Sequence, residues 1–308
     1  MIRNISYFPI NLKSALKRTV TKEGVQSDFL DELEVSVVAV TANLSSEVRT
    51  YLAKIGLSKS DIDRSSDLIW MNTLAICYSP AYIAENANGI SQDWPRIPLP
   101  SSKDLLCTSA EVGRKLAELL NTQSSVMGVT SGKIRLELRS IANISHISGG
   151  PINPDNGDLS VTASWGYSSK GNITMPGQGR LINRKYTSEE LFQIDAGARE
   201  FDLSSEQVVN LLGQTTNDVY LNDSVYWENI PTNVWEYVIG GYQIIKKWLS
   251  YREFELLERS LSIEEVREVS NIARRIAAIL LMGPDLDTNF LQVAHSTYLW
   301  PKSQSEEG

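Results

Sequence analysis

The chain has two cysteines and two histidines in 308 residues. With so few thiols, a disulfide framework is excluded as the source of stability. Cys77 and Cys107 both sit in apolar, helix-like contexts, so each is expected to be a free, buried thiol in a reducing compartment. His146 and His295 are far apart and no CxxC pair accompanies them, so no metal centre is expected. No apolar run reaches the length of a membrane span. The opening Met1-Ile2-Arg3-Asn4-Ile5 lacks the apolar core and cleavage site of a secretory leader, which predicts a cytoplasmic protein.

Nucleotide chemistry is missing as well. There is no GxxxxGK[ST] loop to cradle phosphates and no glycine-rich dinucleotide fingerprint after a strand. Neither a nucleophile elbow nor a carboxylate–lysine nuclease pattern occurs. No catalytic residue is assigned. The net charge of -8 argues against a protein that coats nucleic acid indiscriminately. Any nucleic-acid contact has to come from cations concentrated on one face, or from a partner's affinity.

What is present is an α+β pattern: a helical framework carrying a β-rich, loop-rich insert. Residues 2–10 and 34–40 read as short strands around a polar Lys/Arg/Thr stretch. Ser45 opens a helix over 47–55, stopped by Gly56. A helix over 67–78 follows. The proline-bearing run Asp93-Trp94-Pro95-Arg96-Ile97-Pro98-Leu99-Pro100 forces extended backbone. Ser101 or Ser102 then caps an amphipathic helix over 103–120, with Leu105, Leu106, Val112, Leu116, Leu119 and Leu120 on its stripe. The expected organisation is 1–60 short strands and helix, 61–125 helix–connector–helix, 126–186 β-rich insert, 187–300 helical part and 301–308 a disordered tail. Residues 60–300 would form one domain.

Within the insert, 134–138 and 159–165 read as strands. The first would point Lys133, Arg135 and Arg139 to one face. From Trp165 to Tyr186 there are four cations, Lys170, Arg180, Arg184 and Lys185, and no acid. Three capping boxes follow or flank: Thr187 with Glu190 and Ser262 with Glu265 are explicit, and Ser204 opens a helix ending at Gly213. The helix over 263–282 carries Arg274-Arg275, read as a solvated or ion-paired edge. The densest stretch is 231–252. There Gly240-Gly241 makes a turn into a helix anchored by Ile244, Ile245, Trp248 and Leu249, which presents Lys246, Lys247 and Arg252 on its outer side.

Three blocks together carry a resemblance. They are Ser79 to Pro100, with Ser79-Pro80-Ala81-Tyr82 and Pro95-Arg96-Ile97-Pro98-Leu99-Pro100; Val161 to Glu190, with Val161-Thr-Ala-Ser-Trp-Gly166, Met175-Pro-Gly and Arg184-x-Tyr186-Thr187-x-Glu189-Glu190; and Thr216 to Arg252, with Gly240-Gly-Tyr-Gln243 and Lys246-Lys-Trp-Leu-Ser-Tyr-Arg252. Over about residues 43–290 the chain resembles the C-terminal specificity (target-recognition) region of type ISP restriction–modification enzymes and related adenine methyltransferases. Such enzymes join a nuclease, a helicase-like ATPase and an adenine methyltransferase to that region, and only the last is matched here. Adenine methyltransferases carry an Asn/Asp-Pro-Pro-Tyr tetrad, but Ser79-Pro80-Ala81-Tyr82 departs at its first and third positions and reads as a helix-ending turn.

The resemblance implies sequence-specific recognition of double-stranded DNA on behalf of methyltransferase and helicase–nuclease domains or subunits. S-adenosylmethionine, ATP and Mg2+ would bind there, with no cofactor in this chain and no membrane partner. It implies base reading by Asn172, Gln178, Arg180 and Arg184 on a flexible glycine loop, since arginine suits guanine, and asparagine or glutamine suits adenine. Phosphate contacts would fall to Lys133, Arg135, Arg139, Lys170, Lys185, Lys246, Lys247 and Arg252. The alternative is a protein-interaction scaffold docking on a methyltransferase or helicase with little DNA affinity, which the acidic balance favours. An independent enzyme is the third reading.

Overall fold

Hydroxyl side chains open many of the helices. Ser45 accepts from the Val48 N–H at the start of α1 (Ser46–Lys54), and Ser79 accepts from Tyr82 at the start of α3 (Pro80–Gln92). Full capping boxes open α6 (Ser188–Ala198), α7 (Ser205–Leu212) and α11 (Ile263–Leu281) through Thr187/Glu190, Ser204/Gln207 and Ser262/Glu265. Each satisfies N–H groups that the first helical turn leaves without an internal partner. The structure is a computed structural model describing residues 11–20, 33–58, 61–62, 66–171, 173–199 and 203–301. Asn172, the strand expected over 2–10 and the tail over 302–308 lie outside the described residues. The fold is α+β, and no described helix is long and apolar enough to cross a membrane.

The chain divides into two compact units, Met1–Lys115 with Asp285–Gly308, and Leu116–Pro284. In the first, strands β1 (Asn11–Val20) and β2 (Leu33–Ala42) pair antiparallel from Asn11↔Ala42 to Val20↔Leu33. The Lys/Arg/Thr stretch expected to separate two strands is therefore a strand itself. Main-chain pairing, not apolar content, decides it. Helix α2 (Asp67–Cys77), α3 and α4 (Lys103–Leu120) follow. A core of Tyr51, Leu52, Leu68, Ile69 and Leu106 takes in Leu99 from the proline-bearing run. The Tyr51 hydroxyl donates to the Pro100 carbonyl at 2.7 Å.

Ser79-Pro80-Ala81-Tyr82 ends α2 and begins α3, with Pro80 in the first helical turn, where a missing N–H costs nothing. Asp287 on α12 (Gly283–His295) accepts from the Ser79 hydroxyl and the Ala81 N–H. Tyr82 is buried against Phe290. The tetrad is a helix junction. Cys77 and Cys107 are free and half-buried rather than fully enclosed, and burial pushes the Cys77 thiol up.

The second unit is built on a four-stranded antiparallel sheet in the order β3-β8-β7-β6. Its strands are β3 (Asn143–His146), β6 (Leu181–Arg184), β7 (Thr216–Tyr220) and β8 (Val225–Pro231). The β structure is thus not confined to 126–186, because the two central strands come from the stretch expected to be helical. Beside the sheet lie two small hairpins, β4 (Gly166–Ser168) with β5 (Thr174–Pro176), and β9 (Val238–Ile239) with β10 (Tyr242–Gln243).

Two expected strands take other forms. Residues 134–138 become α5 (Leu136–Arg139), a helical turn packed on α6 that buries Glu137 and Leu138. A short apolar run does not declare its own period. Residues 159–165 stay irregular because their backbone bonds leave the sheet. Thr162 donates to the Leu221 carbonyl, while Val161 and Leu159 accept from Phe254 and Leu261. The short helices α8 (Thr232–Trp235), α9 (Ile244–Ser250) and α10 (Phe254–Leu257) complete the unit with α7 and α11.

Arg274-Arg275 is not a solvated edge. Arg275 is 5% exposed, and its guanidinium donates to the carbonyls of Glu118 and Leu119, both at 2.9 Å, and of Ser124. It thereby closes carbonyls that the end of α4 leaves open. Arg274 donates to Asn143 at 3.0 Å.

Candidate nucleic-acid interface

Trp165 is the seat of the cationic segment. It is fully buried, its indole N–H donates to the Tyr220 carbonyl at 2.7 Å, and its ring meets Trp235 edge-on at 5.3 Å. The backbone leading into it is bent, with Ser164 at φ 64. Glu253 holds that bend: one carboxylate oxygen accepts the Ser164 N–H at 3.0 Å and the other the Trp165 N–H at 2.8 Å. Burial raises the Glu253 carboxyl, and the N–H bonds from Ser164, Trp165 and Gly166 oppose that rise without cancelling it.

The glycines around this seat are packed, not flexible. A Cβ on Gly166 would lie 1.9 Å from the Ser250 carbonyl oxygen, and one on Gly177 would lie 2.1 Å from that of Ser164. Gly179 combines φ +70 with a Cβ position 2.0 Å from the Trp165 ring. The Gly177 and Gly179 N–H groups donate to the carbonyls of Trp165 and Ser164. The glycine loop that the resemblance implied is a hairpin clamped at its base. From that base β4 and β5 project, with Tyr167, Ile173 and Met175 exposed and Lys170 in the turn between them.

Gln178 and Arg180 follow the hairpin on its C-terminal side. Arg180 lies over the Tyr220 ring at 4.2 Å and pairs with Asp223 at 2.9 Å. Arg184 is different. Its Nε bonds Asp218 at 2.8 Å, its two Nη atoms bond the two oxygens of Glu190 at 2.9 and 2.8 Å, and Nη1 also donates to the Lys185 carbonyl. The side chain is 25% exposed. Burial would raise the Glu190 carboxyl, but Arg184 and the Thr187 N–H outweigh it and hold it below its ordinary value. Arg184 therefore ties β6 to β7 and to the first turn of α6. Lys185 is exposed beside it.

Helix α9, which carries Lys246 and Lys247, packs against both β4 and β5, the strands on either side of the turn with Lys170. Lys246 is half-exposed and forms no ion pair among the described residues. The Lys247 ammonium lies between two tyrosine rings, 4.7 Å from Tyr242 and 4.6 Å from Tyr251. The hairpin β9–β10 turns on Gly240 and Gly241 at φ 59 and 86, and leaves Val238, Ile239 and Tyr242 exposed. Arg252 stacks on Trp248 at 3.8 Å and pairs with Glu265 and Glu268 at 3.5 and 3.8 Å. Together with the Ser262 N–H and above all Arg259, it holds the Glu265 carboxyl down to about 2.

Lys133, Arg135 and Arg139 do not share a strand face. Lys133 and Arg139 are exposed at either end of the α5 turn. Arg135 bonds the buried Glu137 at 2.8 Å. That turn packs on α6 and α11. His146 bonds Ser148, and no cluster of potential metal ligands occurs among the described residues. Sequence reasoning missed Glu253, Tyr220, Tyr226 and Asp223. Nothing local marks Glu253, Tyr220 or Asp223, since each acts on a residue remote in sequence, and Tyr226 acts through its stack on Tyr220.

The profile of the Type ISP C-terminal specificity domain matches residues 6–279. Among solved structures the chain is similar to a nuclease-deletion mutant of the Type ISP restriction–modification enzyme LlaGI in complex with a DNA substrate mimic. There the identity is 17% and the TM-score 0.36, over 73% of this chain and 16% of that one. It is also similar to DrdV in a DNA complex, with 14% identity and TM-score 0.40, over 86% of this chain and 21% of that one. The chain thus spans about a fifth or less of the length of those two proteins. No curated protein sequence matches.

Proposed function

The chain belongs to the family of Type ISP C-terminal specificity domains, and from that premise we propose that it reads a base sequence in duplex DNA for a larger restriction–modification enzyme. The observation that carries this reading is the packing of the β4–β5 hairpin on α9. It joins Lys170, Lys246 and Lys247 to Gln178 and Arg180 on adjoining elements of one unit. The lysines serve as phosphate contacts, which position without reading. Gln178, Arg180 and Asn172 serve as base readers. Arg184 and Arg252, matched to carboxylates, hold the frame.

Chemistry on the target base falls to other modules. A methyltransferase would take the adenine out of the stack and bind S-adenosylmethionine, while a helicase–nuclease would use ATP and Mg2+. The net charge of -8 supports a competing reading, a scaffold that docks on those modules and leaves DNA to them. Salt titration of duplex binding separates the two. Recognition predicts that log K falls linearly with log salt, by about 0.9 per phosphate neutralised. No measurable duplex affinity at low salt would establish the scaffold instead.

A further inference from the structure

Arg180, Tyr220 and Tyr226 occupy neighbouring positions across three adjacent chain segments of one sheet. The Tyr220 N–H donates to the Arg180 carbonyl at 3.0 Å, and Tyr220 is the register partner of Tyr226. Their side chains form a column. The Arg180 guanidinium lies 4.2 Å from the Tyr220 ring centre, and Tyr220 stacks on Tyr226 at 5.0 Å with 22° between planes. Asp223, in the turn between β7 and β8, accepts from Arg180 Nη1 at 2.9 Å.

That turn is itself fixed. The Asn222 amide donates to the carbonyls of Asp158 and Ser160, and its oxygen accepts from the Ser224 and Val225 N–H groups. So the brace that holds Arg180 is held in turn. Arg180 remains 45% exposed, and Asp223 is fully exposed. Guanidinium has five N–H donors, and among the described residues Arg180 directs one of them to a side chain. The ring contact and the pairing engage one face and one N–H of the guanidinium, and its remaining donors are left for a ligand.

An exposed pair of this kind contributes little to stability. As a rigid presentation of a donor fork it is well suited to one ligand, the O6 and N7 acceptors of guanine in the major groove. We infer that Arg180 reads a guanine, and that Tyr220 and Asp223 are positioning residues that set its plane and rotamer. The inference rests on the duplex-recognition reading above and names the base and the supporting residues.

The test is selection from a pool of random duplexes by the full chain, followed by sequencing of the bound fraction. Arg180→Ala should erase a guanine preference at a single position, by about tenfold or more, with other positions unchanged. Asp223→Ala should weaken the same preference while raising affinity for unrelated duplexes, because it removes an acid from the DNA-facing side; a merely structural residue would not separate these two effects. Tyr220→Leu should weaken the preference and Tyr220→Phe should retain it, since the ring and not the hydroxyl makes the stack.

A uniform loss over all sequences in Arg180→Ala would make it a phosphate contact and overturn the assignment. So would an Asp223→Ala profile identical to wild type, or a lost preference for a base other than guanine. Failure of wild type to bind any duplex would instead overturn the recognition reading itself, and this inference with it.

Discussion

The Glu253 carboxylate accepts the backbone N–H of Trp165 at 2.8 Å from 88 residues further along the chain. With its other oxygen on Ser164, it satisfies two N–H groups at a bend whose φ a serine adopts only under constraint. Glu253→Ala leaves both without an acceptor. The expected loss is about 2 kcal/mol or more, read as a lower urea midpoint by tryptophan fluorescence. Glu253→Gln, which keeps one acceptor, should lose less. An unchanged midpoint in both variants would contradict the clamp.

Gly179→Ala places a methyl where the Trp165 ring already lies, at a φ of +70. Overpacking and strain together should cost about 2 kcal/mol. Gly171 has open space around it, so Gly171→Ala is expected to cost less. Thermal unfolding of the two variants side by side gives the comparison.

Arg184→Ala breaks pairs with two mostly buried carboxylates, Glu190 and Asp218. Removing one partner of such a cluster costs about 3 kcal/mol. The loss should appear in denaturation, while the base-preference profile at low temperature stays that of wild type. An altered profile with unchanged stability would return Arg184 to the base readers.

Lys246→Ala and Lys247→Ala should weaken binding to all duplexes alike and lower the salt slope by about 0.9 for each phosphate no longer neutralised. Lys247→Arg keeps the charge and the stacking between Tyr242 and Tyr251, so its slope should match wild type.

Acid should unfold the second unit through its paired glutamates. Arg259, with help from the Ser262 N–H and Arg252, moves the Glu265 carboxyl from 4.5 to about 2. A lowered folded-state value means that this contribution is fully present above 4.5 and is lost as pH falls toward 2. Glu190 shifts in the same direction. Glu265→Gln should be less stable than wild type at neutral pH, and the gap should close across that window in pH-dependent urea midpoints.

Helix starts were legible because a capping hydroxyl and its glutamate lie three residues apart. The boxes at Thr187/Glu190 and Ser262/Glu265 are both formed. The extended proline run and the Gly240-Gly241 turn were legible for the same local reason. The strand over 34–40 was legible too and lies within β2, but those of the four-stranded sheet were not, since a pairing such as β6 with β7 joins residues some 35 positions apart, at Arg184↔Thr216 and Leu181↔Val219. Arg275 and Arg184 look in sequence like any surface cation. Their roles depend on carbonyls at 118–124 and on carboxylates at 190 and 218, which no short window around them brings together.

The hairpin's base and its tip answer to different masters. Gly166, Gly177 and Gly179 are dictated by the backbone and the tryptophan packed against them, whereas the side chains of Tyr167, Lys170, Ile173 and Met175 are exposed. Retargeting by mutagenesis should therefore randomise the outward positions and leave the three glycines and Trp165 untouched. A chimera made by cutting inside that footing would inherit a misfit, so a graft should carry 164–180 with Glu253 as one cassette.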